Sequence, residues 1–167
     1  DGFTLGTDGG GVVNDSSRGP YVAWCWKANG GTTSSNTDGS ITSTVQVNSK
    51  AGFSIVQYTA AAAGSSGTIG HGLSQAPEMI ITKRTDAIST WRVGLEALGN
   101  WDRYLGLNQT NAYSTSSTIY SAAPTSSVYS IGNDPSMIND TIAYCFHSVE
   151  GFSKFGLYTG TGSATDR

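Results

Sequence analysis

Four groups of side chains in this sequence could carry chemistry. The first sets acids beside aromatic rings: Asp86, Glu96 and Asp102 fall near Trp91 and Trp101. Two carboxylates facing each other across a sugar are what glycoside hydrolysis needs. Only three glutamates exist (Glu78, Glu96, Glu150), and none sits in a recognisable motif. Solvated loop charge is the favoured reading. The second group is His71, in Ile69-Gly70-His71-Gly72-Leu73. A catalytic base needs an orienting acid and a nucleophile. No G-x-S-x-G, H-E-x-x-H or Ser-His-Asp spacing accompanies it, so His71 is expected to bond a turn carbonyl. The third group is a pair of oxygen-rich loops, Asp8 with Asn14 and Asp15, and Asp134 with Asn139 and Asp140. Calcium takes about six to eight oxygens. Asp and Asn also bond their own backbone in turns, and that reading is preferred. Calcium is the one cofactor left open. The fourth group is Trp91, Trp101 and Tyr104, beside Arg92 and Arg103. Exposed, they would stack a sugar or anchor an interface. Interface or core is favoured over ligand.

The elements that must position these residues are strands. Tyr21 to Trp26 alternates, with Val22, Trp24 and Trp26 on one face. Phe53–Tyr58, Glu78–Lys83, Ser127–Ile131, Thr141–Phe146 and Phe155–Thr159 read the same way, and Ile88–Leu98 reads as strand plus turn. Gly, Asn, Asp, Ser and Thr clusters separate them, which is turn chemistry. Many short strands with such spacing predict an all-β protein, an antiparallel β-sandwich of jelly-roll type with little or no helix. Two stretches stand apart. Asn29 to Asn48 reads as a linker followed by a candidate edge strand from Ile41 to Val47. Asn108 to Ser127 is rich in Ser, Thr and Asn. Each is expected as a surface loop or as an arm that pairs with a neighbouring chain.

Composition removes whole classes of function. The 167 residues carry nine Lys and Arg against twelve Asp and Glu, a net charge of −3. Scattered cations in that number do not make the basic stripe of a nucleic-acid binder. No apolar run approaches the roughly 20 residues of a membrane-spanning helix. Four Trp, eight Tyr and five Phe with low net charge argue against disorder. The start, Asp1-Gly2-Phe3-Thr4, shows no leader and no initiator Met, so a processed or excised piece of a longer chain is expected. Two cysteines, Cys25 and Cys145, are too few for a disulfide scaffold. Small buried hydrophobes are the favoured reading, with a bond between them left open.

The chain also resembles itself. Gly2-Phe3-Thr4-Leu5-Gly6, Asn14-Asp15, Tyr21-Val22-Ala23-Trp24-Cys25-Trp26, Gly52-Phe53-Ser54 and Tyr58-Thr59 recur in order. Their counterparts are Val128-Tyr129-Ser130-Ile131-Gly132, Asn139-Asp140, Thr141-Ile142-Ala143-Tyr144-Cys145-Phe146, Gly151-Phe152-Ser153 and Tyr158-Thr159. The organisation that follows has four parts. Residues 1–28 end a first repeat, and 29–51 are a linker or arm. Residues 52–150 are one complete sandwich repeat, and 151–167 are a closing strand or the start of a further repeat. A repeat must bury the same positions each time, so Trp24, Trp26, Tyr144 and Phe146 are expected in the core. Trp26→Ala would then cost about 3–5 kcal/mol.

Several of these segments together resemble a repeat common in tail-fibre and other virion structural proteins of marine and environmental bacteriophages. They are 1–7, 21–28, 37–43 and 52–56, then Gly67-Thr68-Ile69-Gly70-His71-Gly72-Leu73, Ala76-Pro77 leading to Ile80-Ile81-Thr82-Lys83-Arg84, and 143–156. The family's Trp-x-Val-Tyr-His stretch is Trp91-Arg92-Val93-Gly94-Leu95 here, so any role of that Tyr-His pair is absent. The resemblance implies a non-enzymatic tail-fibre, spike or surface-decoration module on the outside of the virion. Its partners would be copies of itself, as a trimer or larger assembly, with other virion proteins. It carries over no catalytic residues. A carbohydrate- or receptor-binding module for a host-surface glycan is the second expectation. A polysaccharide-degrading enzyme is the third. Nucleic acid and membrane insertion are not expected.

Overall fold

The computed structural model describes residues 3–7, 14–18, 20–61 and 66–162. Eleven strands run in two sheets: β1 (Ser34–Asn36), β2 (Ser43–Asn48), β3 (Phe53–Ala60), β4 (Gly67–Gly70), β5 (Met79–Arg84), β6 (Arg92–Leu95), β7 (Arg103–Gly106), β8 (Ser114–Thr115), β9 (Tyr120–Ala122), β10 (Val128–Ile131) and β11 (Asn139–Phe146). The large sheet has eight strands in the order β1-β2-β3-β11-β5-β6-β7-β8, and the small one has three, β4-β10-β9. Every ladder between these strands is antiparallel. The all-β antiparallel sandwich expected from the strand periodicity is the fold.

Alternation sets which side chains meet between the sheets. On β3, Ser54, Val56, Tyr58 and Ala60 are buried, while Gln57 and Thr59 face out. On β11, Thr141, Ala143 and Cys145 point inward. These central residues are small, and the space beside them is filled by rings from neighbouring strands. Tyr58 and Tyr129 meet edge to face at 6.4 Å, and Trp101 and Tyr120 do so at 5.8 Å. Buried hydroxyls are ordinarily hydrogen-bonded, and two of the three tyrosines here find backbone carbonyls. Tyr58 donates to the Met137 carbonyl at 3.0 Å, and Tyr120 to that of Ile80 at 3.2 Å. Gly94 is required where the rings crowd β6. A Cβ there would stand 2.7 Å from Cζ3 of Trp101 and 2.8 Å from Cε2 of Tyr120.

Several expectations are corrected. Residues 29–51 are not a free arm: β1 and β2 lie in this stretch, and β2 pairs with β3 along six residues. Nor is β2 an edge, because β1 lies outside it. The Asn108–Ser127 stretch folds on its own chain, with Ile119 and Tyr120 in the core. Two stretches expected as strands, Tyr21–Trp26 and Phe155–Thr159, are irregular.

The four repeat aromatics are not in the core between the sheets. Trp24 is 75% exposed and Trp26 is 59% exposed. Tyr144 and Phe146 sit at the outward positions of β11, Tyr144 half-buried and Phe146 buried. Alternation marks β11 as a strand, but the opposite parity enters the core, because the large residues of β11 face away from the small sheet. Trp101, for which interface or core is the favoured expectation and ligand contact the other, is a core residue at 7% exposure.

Stability should follow this parity. Ile131→Ala removes a fully buried side chain and is expected to cost about 2–5 kcal/mol. Trp24→Ala should change stability by less than about 0.5 kcal/mol. Urea unfolding curves of the two variants check both values.

Candidate functional site

The outward face of the large sheet is apolar across five strands. Register aligns Phe53, Phe146, Met79 and Leu95 in one cross-strand row. The next row is Ile55, Tyr144, Ile81, Val93 and Leu105. An antiparallel sheet with one face on a core ordinarily turns polar groups outward. Here the second face is hydrophobic too, and it needs cover.

Part of that cover comes from the two ends of the chain. Phe53 and Phe146 stack at 4.8 Å. The Trp26 ring lies 5.9 Å from Phe146, edge to face, and 6.5 Å from Phe53. Phe155 approaches Phe146 at 5.4 Å from the other flank. Asn48 fixes the first flank by donating from Nδ2 to the Lys27 carbonyl at 2.9 Å. Cys25, Trp26, Phe53, Phe146, Phe152 and Ser153 then line one cavity of about 190 Å³. The cover is incomplete. Among the described residues, nine of twelve exposed large hydrophobics lie in these flanks: Phe3, Leu5, Tyr21, Val22, Trp24, Trp26, Phe152, Leu157 and Tyr158. Apolar surface concentrated in this way marks an interaction site rather than ordinary scatter.

The acids do not assemble a catalytic pair. Asp86 is held by two of the three Arg84 guanidinium nitrogens, Nε at 2.6 Å and Nη2 at 2.8 Å, and these hydrogen bonds lower its pKa. Glu96 is exposed at the start of a short 3-10 turn, Glu96–Leu98. Asp102 follows Trp101 in a separate turn. A cleft of about 630 Å³ is lined by Glu78, Ser148, Glu150, Phe152 and Lys154 among others. Its Glu78 carboxylate is already engaged, accepting from the Ser148 N–H at 2.9 Å and the Ser148 hydroxyl at 2.6 Å. Trp91 is half-buried and stacks on Tyr144 at 6.5 Å. Tyr104 lies under the Arg92 guanidinium at 4.9 Å. One face of each ring is thus occupied within the chain.

The oxygen-rich loops are turns. Asp15 Oδ1 accepts from the Ser17 N–H at 2.9 Å and the Ser17 hydroxyl at 2.7 Å. Asp134 Oδ1 takes the same two bonds from Ser136, at 2.8 and 2.5 Å. Asp140 accepts from Thr59 at 2.7 Å, Asn14 donates to the Gly6 carbonyl at 2.8 Å, and Asn139 takes a positive φ of 59°. Among the described residues no three His, Cys, Asp or Glu side chains gather as a metal site. Asp8 lies outside the described residues. The two cysteines are unbonded: Cys25 is exposed, and Cys145 is buried, its thiol pushed up to about 12 by burial.

The Asp-x-Ser correspondence was missed in the sequence, although its signal was present. Asn14-Asp15-Ser16-Ser17 matches Asn133-Asp134-Pro135-Ser136 more closely than it matches Asn139-Asp140. The structure thereby adds a geometric match to the internal repeat. A second match is Gly52 and Gly151, which open the two Gly-Phe-Ser copies with φ of 62° and 73°.

His71 is fully buried and structural. Its Nε2 lies 3.1 Å from the Thr125 carbonyl, and its Nδ1 accepts the Leu73 N–H at 3.1 Å. Only the neutral Nε2–H tautomer satisfies both partners. Burial lowers its pKa from 6.5.

Fold and site together define a two-sheet antiparallel sandwich in which buried Tyr58, His71 and Tyr120 bond the chain's own backbone and the apolar surplus lies at the flanks. The chain belongs to the family described as a domain of unknown function (DUF7483), which matches residues 1–167. Comparisons with curated proteins and with solved structures return no match.

The histidine gives a signed pH dependence. Below pH 6.5 the unfolded chain binds a proton that folded His71 refuses. Stability therefore falls as pH drops through this window, by at most about 1.4 kcal/mol per pH unit. It levels once the folded group also titrates. His71→Gln should remove that slope, whatever its effect on absolute stability. Urea midpoints between about pH 7.5 and about pH 5 test this.

Proposed function

We propose that this chain is a non-enzymatic structural module of a bacteriophage virion, a tail-fibre, spike or surface-decoration element whose work is assembly. One observation carries the assembly reading: the exposed apolar side chains concentrate in two flanking segments that meet over Phe53 and Phe146. Surface of this kind stays soluble by being covered, and a neighbouring protein is what covers it. The virion setting rests on the resemblance of residues 1–7, 21–28, 52–56 and 143–156 to phage structural repeats. Buried His71 and half-buried Glu78 support a structural role, since both spend their hydrogen bonds on the chain itself.

The glycan-binding alternative named Trp91 and Trp101 as exposed platforms. With Trp101 in the core and Trp91 lying on Tyr144, it has no support from those two residues.

Light scattering behind a sizing column, over a wide range of concentration, should show residues 1–167 forming complexes of two or more chains. Antibodies against the chain should label the outside of purified particles. A chain that stays monomeric throughout overturns the assembly reading. Association without particle labelling overturns the virion setting.

A further inference from the structure

The geometry points to a second copy of this chain as the partner, joined by strand pairing between Tyr21–Trp26 of one copy and Phe152–Tyr158 of the other. This inference rests on the assembly reading above and names its partner and contact.

In the body of the fold, β11 pairs with β3 along eight residues, including Phe146 with Phe53, Cys145 with Ser54, and Tyr144 with Ile55. The sequence carries each of these strands a second time. Tyr21–Trp26 repeats Thr141–Phe146, and Phe152–Tyr158 repeats the strand that begins at Phe53. The lead-in turns recur as well. An Asp-x-Ser turn precedes both copies of the β11 sequence. A glycine of positive φ precedes both copies of the β3 sequence.

The difference lies in what each copy pairs with. β11 is hydrogen-bonded along both edges, to β3 and to β5. Its counterpart Tyr21–Trp26 is exposed and belongs to no strand. Val22, Trp24 and Trp26 are 73%, 75% and 59% exposed. A segment with strand alternation and backbone outside any ladder is a template for strand addition. Phe152-Ser153-Lys154-Phe155 aligns with Phe53-Ser54-Ile55-Val56, and Gly156 then displaces Tyr158 by one place from its match to Tyr58. Within one chain Ser153 exchanges its N–H and carbonyl with Val149, and the Phe155 N–H donates to Ser148 Oγ, so pairing in the body register opens this turn. Carrying the body register over puts Trp26 opposite Phe152, Cys25 opposite Ser153 and Trp24 opposite Lys154. Both segments lie at the same end of the molecule, where Trp26 and Phe152 line one cavity. Two copies brought together there can therefore exchange both pairings at once, as an isologous contact requires.

Two variants of the full chain test this. Ala23→Pro removes a backbone donor from the middle of the first segment, at an exposed residue outside every strand. It should weaken association at least about tenfold in light scattering, the loss of roughly 1.4 kcal/mol, and leave the thermal midpoint unchanged. Ser153→Cys places a thiol opposite the exposed Cys25, at a spacing across an antiparallel pair that a disulfide can span. Mild oxidation should then give a reducible dimer. Lys154→Cys, facing the other way, should not. Wild-type association that survives Ala23→Pro intact overturns the strand pairing while leaving the assembly reading standing. A disulfide from Cys25 to the introduced thiol that forms only within one chain shows the flanks closing on each other, and it overturns the second copy as partner. A wild-type chain that is monomeric at all concentrations overturns both readings.

Discussion

The sheet depends on β11 lying between β3 and β5. It is the last strand in sequence and a middle one in space, so the chain must bring residues 139–146 back between two strands laid down much earlier. Its inward positions are Thr141, Ala143 and Cys145, all small. Larger residues there would collide with Tyr58, Tyr120 and Tyr129, which fill the space from neighbouring strands and from the small sheet. The tyrosines in turn depend on backbone carbonyls, those of Met137 and Ile80, for two of their hydroxyls. A close-packed centre of this kind transmits any change in side-chain volume. The tight fit at Gly94 shows how little slack remains.

The same strand accounts for the second face. Because its small residues point in, its large ones, Tyr144 and Phe146, point out. Phe53, Met79 and Ile81 join them by register. A sheet apolar on both sides is buried on both sides, and the small sheet covers only one. Trp26 covers Phe146 and Phe53, Phe155 covers Phe146, and Trp91 covers Tyr144. Leu157, Tyr158 and Trp24 are left in solvent.

How much of this could be read in the sequence depends on whether a feature is local. Strands β3, β5, β10 and β11 were legible because each alternates or runs apolar between turn residues. A uniform Ser and Thr background hid β1 and the start of β2. Ser34–Asn36 and Ser43–Asn48 have little hydrophobic signal of their own, and they join the sheet because β3 offers an edge. Parity was not legible either. Alternation tells which residues share a face, but facing is decided by the partner sheet, which a single strand does not specify. The Asx turns were half legible. Two Asp-x-Ser sequences stand in matching places, but the shared Asn-Asp pair gives Asn14-Asp15 a competing match at Asn139-Asp140.

The tryptophans give the sharpest case. The inference that a repeat buries equivalent positions is sound for a repeat that has all its neighbours. Phe146 obeys it, being covered by Phe53, Trp26 and Phe155. Trp24 and Trp26 hold the equivalent positions in a segment that is paired with no strand on either edge. Their exposure goes with that lack of paired strands. A side chain chosen for burial and found in solvent exposes apolar surface worth about 25 cal/mol per Å² on being covered. Under the proposed pairing, that free energy is the driving force. The sequence identifies a matching strand within the chain itself, beginning at Phe152.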